Sequence, residues 1–203
     1  VNTVRGDTAK GENGLGALPG REAEFQAAID QAIAWQVAAG GTSIHAMAGM
    51  VKPADRPTAT GVLVENLSLA ADKAAEHGIT LLLEPLSPRA APGSFYSTLR
   101  GAGEIIARVG KPNVKIMFDV FHVGCAEGDV LTNLAAWWPH IGHVQVAAVP
   151  SRAEPDEGEI NFRAIFDALD AKGYAGWVGA EYRPRGDTDA GLGWVKTLGV
   201  SLS

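Results

Sequence analysis

Residues 79–88, ITLLLEPLSP, decide how the rest of the chain is read. Apolar and β-branched residues run from Ile79 to Leu83 into a carboxylate, Glu84, and then a proline. The run follows a helix-like segment that stops at Gly78, and it is too short for a helix of its own, so it reads as a buried parallel strand. Pro85 has no N–H to give a sheet ladder, which ends the strand at Glu84. A carboxylate is thereby left at the carboxyl end of a buried strand, where its charge is costly unless something faces it.

The same arrangement recurs outward from this stretch. Val114–Asp119 (VKIMFD) reads as a strand ending in a carboxylate, and Ile141–Val149 (IGHVQVAAV) as a strand carrying His143 and Gln145. Gly176–Tyr182 (GWVGAEY) ends near Glu181, Thr42–Met50 carries His45, and Val1–Val4 reads as the tail of a further strand. Helical stripes fall between them, over 21–39, 62–76, 97–109, 130–138, from an Asn161 cap to Lys172, and over 190–198. The segments 5–20, 52–60, 87–96, 151–160 and 183–189 read as loops. The first of these is long for a compact domain, which places it near a site.

Strand and helix alternate six times on this reading, and such alternation implies parallel pairing with right-handed crossovers. The two architectures that satisfy it are an open doubly wound sheet and a (β/α) barrel. A glycine-rich phosphate turn after a first strand is missing, which argues against dinucleotide binding. Polar residues at successive strand ends are what a TIM barrel uses for its active face. The chain, 1–203, is read as a single α/β domain of (β/α) TIM-barrel type.

Composition narrows the function. The 203 residues are 46% hydrophobic and 20% charged, an ordinary globular balance. A net charge of −6 without long basic runs argues against nucleic acid as a partner and leaves a small molecule. No stretch has the ~18 apolar residues of a membrane span, and no signal peptide opens the sequence. With one cysteine, Cys125, neither an internal disulfide nor a multi-cysteine zinc site is available. The cytoplasm is the expected location.

In a barrel, Glu84, Asp119, Gln145 and Glu181 would converge on one mouth. Three carboxylates and an amide oxygen at close range suit Mg²⁺ or Mn²⁺ better than zinc or copper. Taken singly, each could simply cap a helix or pair with an arginine; four on consecutive strands favour a site. His143 shares a face with Gln145. His45 is open between a satisfied core histidine and a substrate-binding residue. Arg183 and Arg185 either bind an acidic substrate or balance the carboxylates.

The segments LLLEPLSPRAAPGSF, KIMFDVFHV, IGHVQVAAVPSRAEPDEGEINF and WVGAEYRPRGDTDAGLGW resemble the hydroxypyruvate isomerase family, which includes 2-oxo-tetronate isomerases and belongs to the xylose-isomerase-like TIM barrels. The resemblance covers essentially the whole chain. It implies that Glu84 and Glu181 are the paired catalytic carboxylates, that Glu84, Asp119, Gln145 and Glu181 form a metal shell, and that His122 and Arg152 bind substrate. The metal is not obligatory throughout the family. Members carry roughly two further β/α units at the amino end, so the chain is expected to form about six of the eight units of a barrel. Either the chain is a truncated form, or another copy of the chain in a homo-oligomer or a rearranged segment covers the two open edges.

The implied reaction is an aldose–ketose isomerisation of a small hydroxy-keto acid through an enediol. The competing readings are a metal-dependent sugar or inositol-type dehydratase or epimerase, and a truncated non-catalytic binding protein. Phosphodiester cleavage fits least, because barrels of that kind use several metal-ligating histidines.

Overall fold

The computed structural model describes residues 1–200; residues 201–203, part of the expected single domain, lie outside the described residues. Five strands, β1 (Ser43–His45), β2 (Thr80–Leu83), β3 (Val114–Asp119), β4 (Ile141–Val146) and β5 (Val178–Ala180), lie side by side in sequence order. Every neighbouring pair is parallel. Crossing between them are α1 (Glu22–Ala39), α2 (Arg56–Ala75), α3 (Leu99–Val109), α4 (Val120–Ala126), α5 (Val130–Trp137) and α6 (Phe162–Ala171), with α7 (Thr188–Gly191) and α8 (Gly193–Thr197) after β5.

The period of two along each strand sorts its residues onto two faces. Ile44, Leu81, Leu83, Val114, Ile116, Phe118, Val144 and Val146 join one buried core with Phe25, Ile29, Leu63, Leu67, Ile105, Phe162 and Ile165 from the helices. Removing a side chain such as Phe25, fully buried there, from water contributes about 2–3 kcal/mol. The alternate residues, His45, Leu82, Glu84, Lys115, Met117, Asp119, His143 and Gln145, therefore belong to the opposite, inner face. This is the division of a TIM-type half-barrel, with an apolar sheet–helix layer outside and polar strand ends inside.

Several expected boundaries move. Val1–Val4 makes a single parallel bridge, Asn2 to His45, so the sheet has five strands where six were expected. β1 stops at His45 because the next residues turn to loops: the Met47 N–H donates to Thr3 Oγ1 at 3.0 Å, and Ala48 and Met50 bridge Gly14 and Ser94. α2 begins at Arg56, inside a segment read as loop on account of its prolines. Pro57 sits in the first turn, where an amide N–H would have no intrahelical partner. α4 occupies the stretch around His122 and Cys125, between the VKIMFD strand and the 130–138 stripe, to which the sequence assigns no element, and Asp119 caps it by accepting the Phe121 N–H at 2.8 Å. The last helix divides in two at Leu192. The Asn161 cap is as expected, accepting the Ala164 N–H at 3.1 Å. No described helix is long and apolar enough to cross a membrane.

Candidate active site

Glu84 follows the last residue of β2, on a strand bonded to neighbours on both sides, and its side chain is 7% exposed. Asp119 ends β3 and is equally inaccessible. The cap it gives α4 also sets His122 one turn further on, and the His122 Nε2 lies 3.8 Å from Glu84 Oε1 and 3.7 Å from Asp119 Oδ2. His45, from the end of β1, brings Nδ1 to 3.5 Å from Glu84 Oε2. Four buried ionisable groups thus meet above β1, β2 and β3.

Burial dominates their electrostatics. It pushes the Glu84 carboxyl well above the usual range, and the neighbouring Asp119 and Glu181 charges add to the effect while Arg152 opposes it. Asp119 is raised to about 6 by burial, against the Phe121 N–H and Arg152. His45 falls to about 4 through burial and the amino-terminal charge, and His122 to about 3 through burial, Arg152 and His45. Burial thus disfavours the charged form of both partners in the His45–Glu84 contact, which argues against an ion pair.

The Ser87 N–H donates to His122 Nδ1 at 3.0 Å, with Ser87 Oγ 3.2 Å from the same nitrogen. A neutral imidazole that accepts at Nδ1 carries its proton on Nε2. His122 therefore faces the two carboxylates as a donor.

The other side of the site is built from loops. Glu181 follows β5, with its side chain 53% exposed, and its Oε2 meets Arg152 Nη2 at 3.2 Å. Arg152 lies on the loop after β4 with its guanidinium over the Phe121 ring and reaches to 4.0 Å from Asp119 Oδ2. Gln145 on β4 is registered between Asp119 and Gly179, which puts its side chain on the face that bears Asp119. Its Oε1 is buried without a hydrogen-bond partner, as are Glu84 Oε1, Asp119 Oδ2 and His122 Nε2. His143 is half-buried on the same face, one pleat before Gln145.

A cavity of about 430 Å³ opens beside these groups, and Asp119, Gln145 and His143 are not among the residues that line it. Glu84, His45, His122, Arg152, Glu181 and Arg183 all line it, as do Arg5, Thr8, Gly11, Glu12 and Asn13 from the first loop. That loop was expected near a site and is there. Arg185 points away from the cavity, with Nε 3.0 Å from Glu154. Ser87 was not anticipated, and nothing local in LSP announces a partner 35 residues away.

Three orphaned buried oxygens, on Glu84, Asp119 and Gln145, make an oxygen donor set that fits a hard divalent cation. Among the described residues, the acidic and histidine side chains with ligand atoms within 4.8 Å of one another are Glu84, Asp119 and His122. Glu181 stands outside that group, against Arg152.

The comparisons with known proteins agree with this geometry. The family model for the xylose isomerase-like TIM barrel matches residues 6–198. The chain is similar to the 2-oxo-tetronate isomerase of Cupriavidus necator, 45% identical over 96% of this chain and 75% of that protein. It is equally similar to a putative hydroxypyruvate isomerase of Mus musculus, 45% identical over 97% of this chain and 74% of that one. A crystal structure from Brucella melitensis described as an AP endonuclease, family 2, superposes with a TM-score of 0.93 at 42% identity, covering 97% of this chain and 76% of that one. With a parallel half-barrel, carboxylates at its strand ends and a family match along nearly its whole length, the chain belongs to the xylose isomerase-like TIM-barrel family.

Proposed function

We propose that this isomerase-class chain interconverts small hydroxy-keto acids, such as hydroxypyruvate and tartronate semialdehyde or a 2-oxo-tetronate, by proton transfer between Glu84 and Glu181. The observation that carries the reading is that these two carboxylates, from strands three apart in the sheet, line one cavity together with His122 and Arg152. The relatives named as isomerases of hydroxypyruvate and 2-oxo-tetronate support the substrate class.

In the reaction, one glutamate takes the proton from the C–H beside the carbonyl, and the electron pair forms the enediol. A proton is then returned to the neighbouring carbon, and the hydroxyl proton shifts between the two oxygens. His122 donates its Nε2–H to a substrate oxygen, a role set by the Ser87 contact at Nδ1. Arg152 holds Glu181 in place and offers its remaining donors to substrate oxygens or a carboxylate. His45 keeps Glu84 from swinging out of the pocket.

Glu84, Asp119 and Gln145 would hold a divalent cation, Mg²⁺ or Mn²⁺, and Glu181 would join them by turning an oxygen away from Arg152. When bound, the cation supplies positive charge that stabilises the enediolate. Phosphodiester cleavage, suggested by the description of the Brucella structure, has less support. A single histidine joins the carboxylate group, and the chain carries a net charge of −6.

The test is solvent deuterium exchange into hydroxypyruvate or tartronate semialdehyde in D₂O, with and without Mg²⁺ or Mn²⁺. Deuterium is expected at the carbon that loses and regains its proton. Absence of exchange in the metal-supplied protein sinks the reading.

A further inference from the structure

β5 ends at Ala180, yet the chain beyond it stays in register with the β4 side. The Glu181 N–H donates to the Val146 carbonyl at 3.2 Å and the Arg183 N–H to the Arg152 carbonyl at 2.7 Å. The Arg185 N–H then donates to both carboxylate oxygens of Glu154, each at 3.2 Å. These donors are two residues apart, the period of a strand, but their acceptors leave β4 after Val146 and pass to Arg152 and Glu154 on the loop that follows it. In the third rung a side chain replaces the backbone carbonyl.

That side chain is unusual for a loop. The Glu154 carboxylate is 1% exposed, and Arg185 Nε reaches it at 3.0 Å. A buried carboxylate is costly unless its acceptors are used, and here one arginine supplies both a backbone and a side-chain donor. The other guanidinium nitrogens go to Asp156 and Glu157, each at 2.7 Å, and Glu157 in turn accepts the Ser151 hydroxyl at 2.7 Å. Every one of these acceptors lies on the loop that carries Arg152.

Arg152 itself has φ +59°, left-handed geometry that a residue other than glycine keeps only when its surroundings hold it. Its own N–H donates to the Ala148 carbonyl at 2.8 Å. Neither Glu154 nor Arg185 lines the cavity.

We propose that Glu154 and Arg185 are positioning residues that latch the loop after β5 to the loop after β4, and so fix Glu181 against Arg152. Only the consequence for turnover rests on the proposed isomerase reading; the latch stands on hydrogen bonds alone. It compensates for the shortness of β5, which has three residues and is bonded to β4 alone.

Amide hydrogen–deuterium exchange on the full chain tests it. In Glu154→Gln and Arg185→Met, amides of residues 181–186 are expected to exchange about 10–100-fold faster, with β2 and β3 protected as in the wild type. Catalysed deuterium exchange into substrate should fall about tenfold in kcat with KM within about twofold, and Arg185→Lys should recover part of it. Asp156→Asn, which removes only an outer contact, should change neither readout by more than about twofold. Unchanged protection over 181–186 in both main variants overturns the latch. Should Glu154→Gln lose protection throughout the chain, Arg185→Met decides by the same criterion. A wild type without turnover would remove the isomerase reading and leave the amide measurement to judge the latch.

Discussion

Glu84 and Glu181 carry the same side chain past the ends of two parallel strands, and their surroundings are built in opposite ways. Glu84 sits in the interior of the sheet, 7% exposed, with two neutral imidazoles beside it and no hydrogen bond to Oε1. Glu181 is 53% exposed, beyond a three-residue strand, and has an arginine at 3.2 Å. The first carboxyl is buried in an environment that resists its charge. The second is placed by loops, in an environment that supplies a positive partner. A reaction that passes one proton back and forth needs one group ready as acid and another ready as base. The inner and outer halves of the sheet provide them by different physical means.

The largest effect should come from removing either carboxylate. Glu84→Gln and Glu181→Gln are each expected to lower deuterium exchange into substrate by about 10²–10⁴-fold. Their stabilities should separate them. Burial opposes the Glu84 charge, so a neutral Gln should leave the thermal midpoint unchanged or raise it. Glu181→Gln breaks a half-exposed ion pair and should cost less than about 1 kcal/mol. Turnover near the wild-type value in either variant would end the two-glutamate scheme; unfolding of Glu84→Gln would mean that the inner site depends on the carboxyl rather than resists its charge.

Arg152→Lys tests the loop-built half next. Lysine keeps the charge but loses the planar fork that reaches Glu181 while resting on Phe121. A decrease of about 10–100-fold in kcat/KM is expected. Full activity in the lysine variant would mean that the backbone rungs after β5 position Glu181 without help from the guanidinium.

How far this contrast could be read from sequence follows the same division. β2 was legible because its apolar run is uninterrupted and ends in Glu84, and β3 and β4 because apolar residues alternate there with Lys115, His143 and Gln145. The half-barrel followed from their alternation with helices. α4 was not legible: seven residues give too little periodicity, and Asp119, seen as a metal carboxylate, is also its cap. The start of α2 was hidden by Pro57, whose effect depends on which turn it occupies. Glu181 was expected in one shell with Glu84, Asp119 and Gln145, while the compact group of acidic and histidine side chains among the described residues is Glu84, Asp119 and His122. The tautomer of His122 depends on a backbone amide 35 residues away, and the choice between two roles for Arg185 depended on the burial of Glu154. Both are products of chain crossing, which no local pattern encodes.

The smallest expected effect, and the one that bears on the cation, is a slope of stability with pH. The Asp119 pKa is raised from 3.8 to about 6 in the folded chain. The folded state thus holds a proton that the unfolded state releases at lower pH. This contribution is fully present below about pH 4 and is lost as pH rises through 6. The loss is on the order of 2–3 kcal/mol by pH 7. Asp119→Asn keeps an oxygen for the Phe121 N–H and removes the titration. In the presence of a chelator, the stability of wild type minus that of the variant should therefore fall between pH 4 and 7, measured by urea unfolding at each pH. Groups remote from Asp119 titrate alike in both proteins and cancel in the difference, while Glu84, whose carboxyl the Asp119 charge pushes up, adds to it with the same sign. A divalent cation favours the ionised carboxylates and should flatten the slope in the wild type alone. A slope indifferent to Mg²⁺ and Mn²⁺ would mean that the orphaned oxygens of the inner half are satisfied by water, and that the barrier to charging Glu84 is relieved only when substrate arrives.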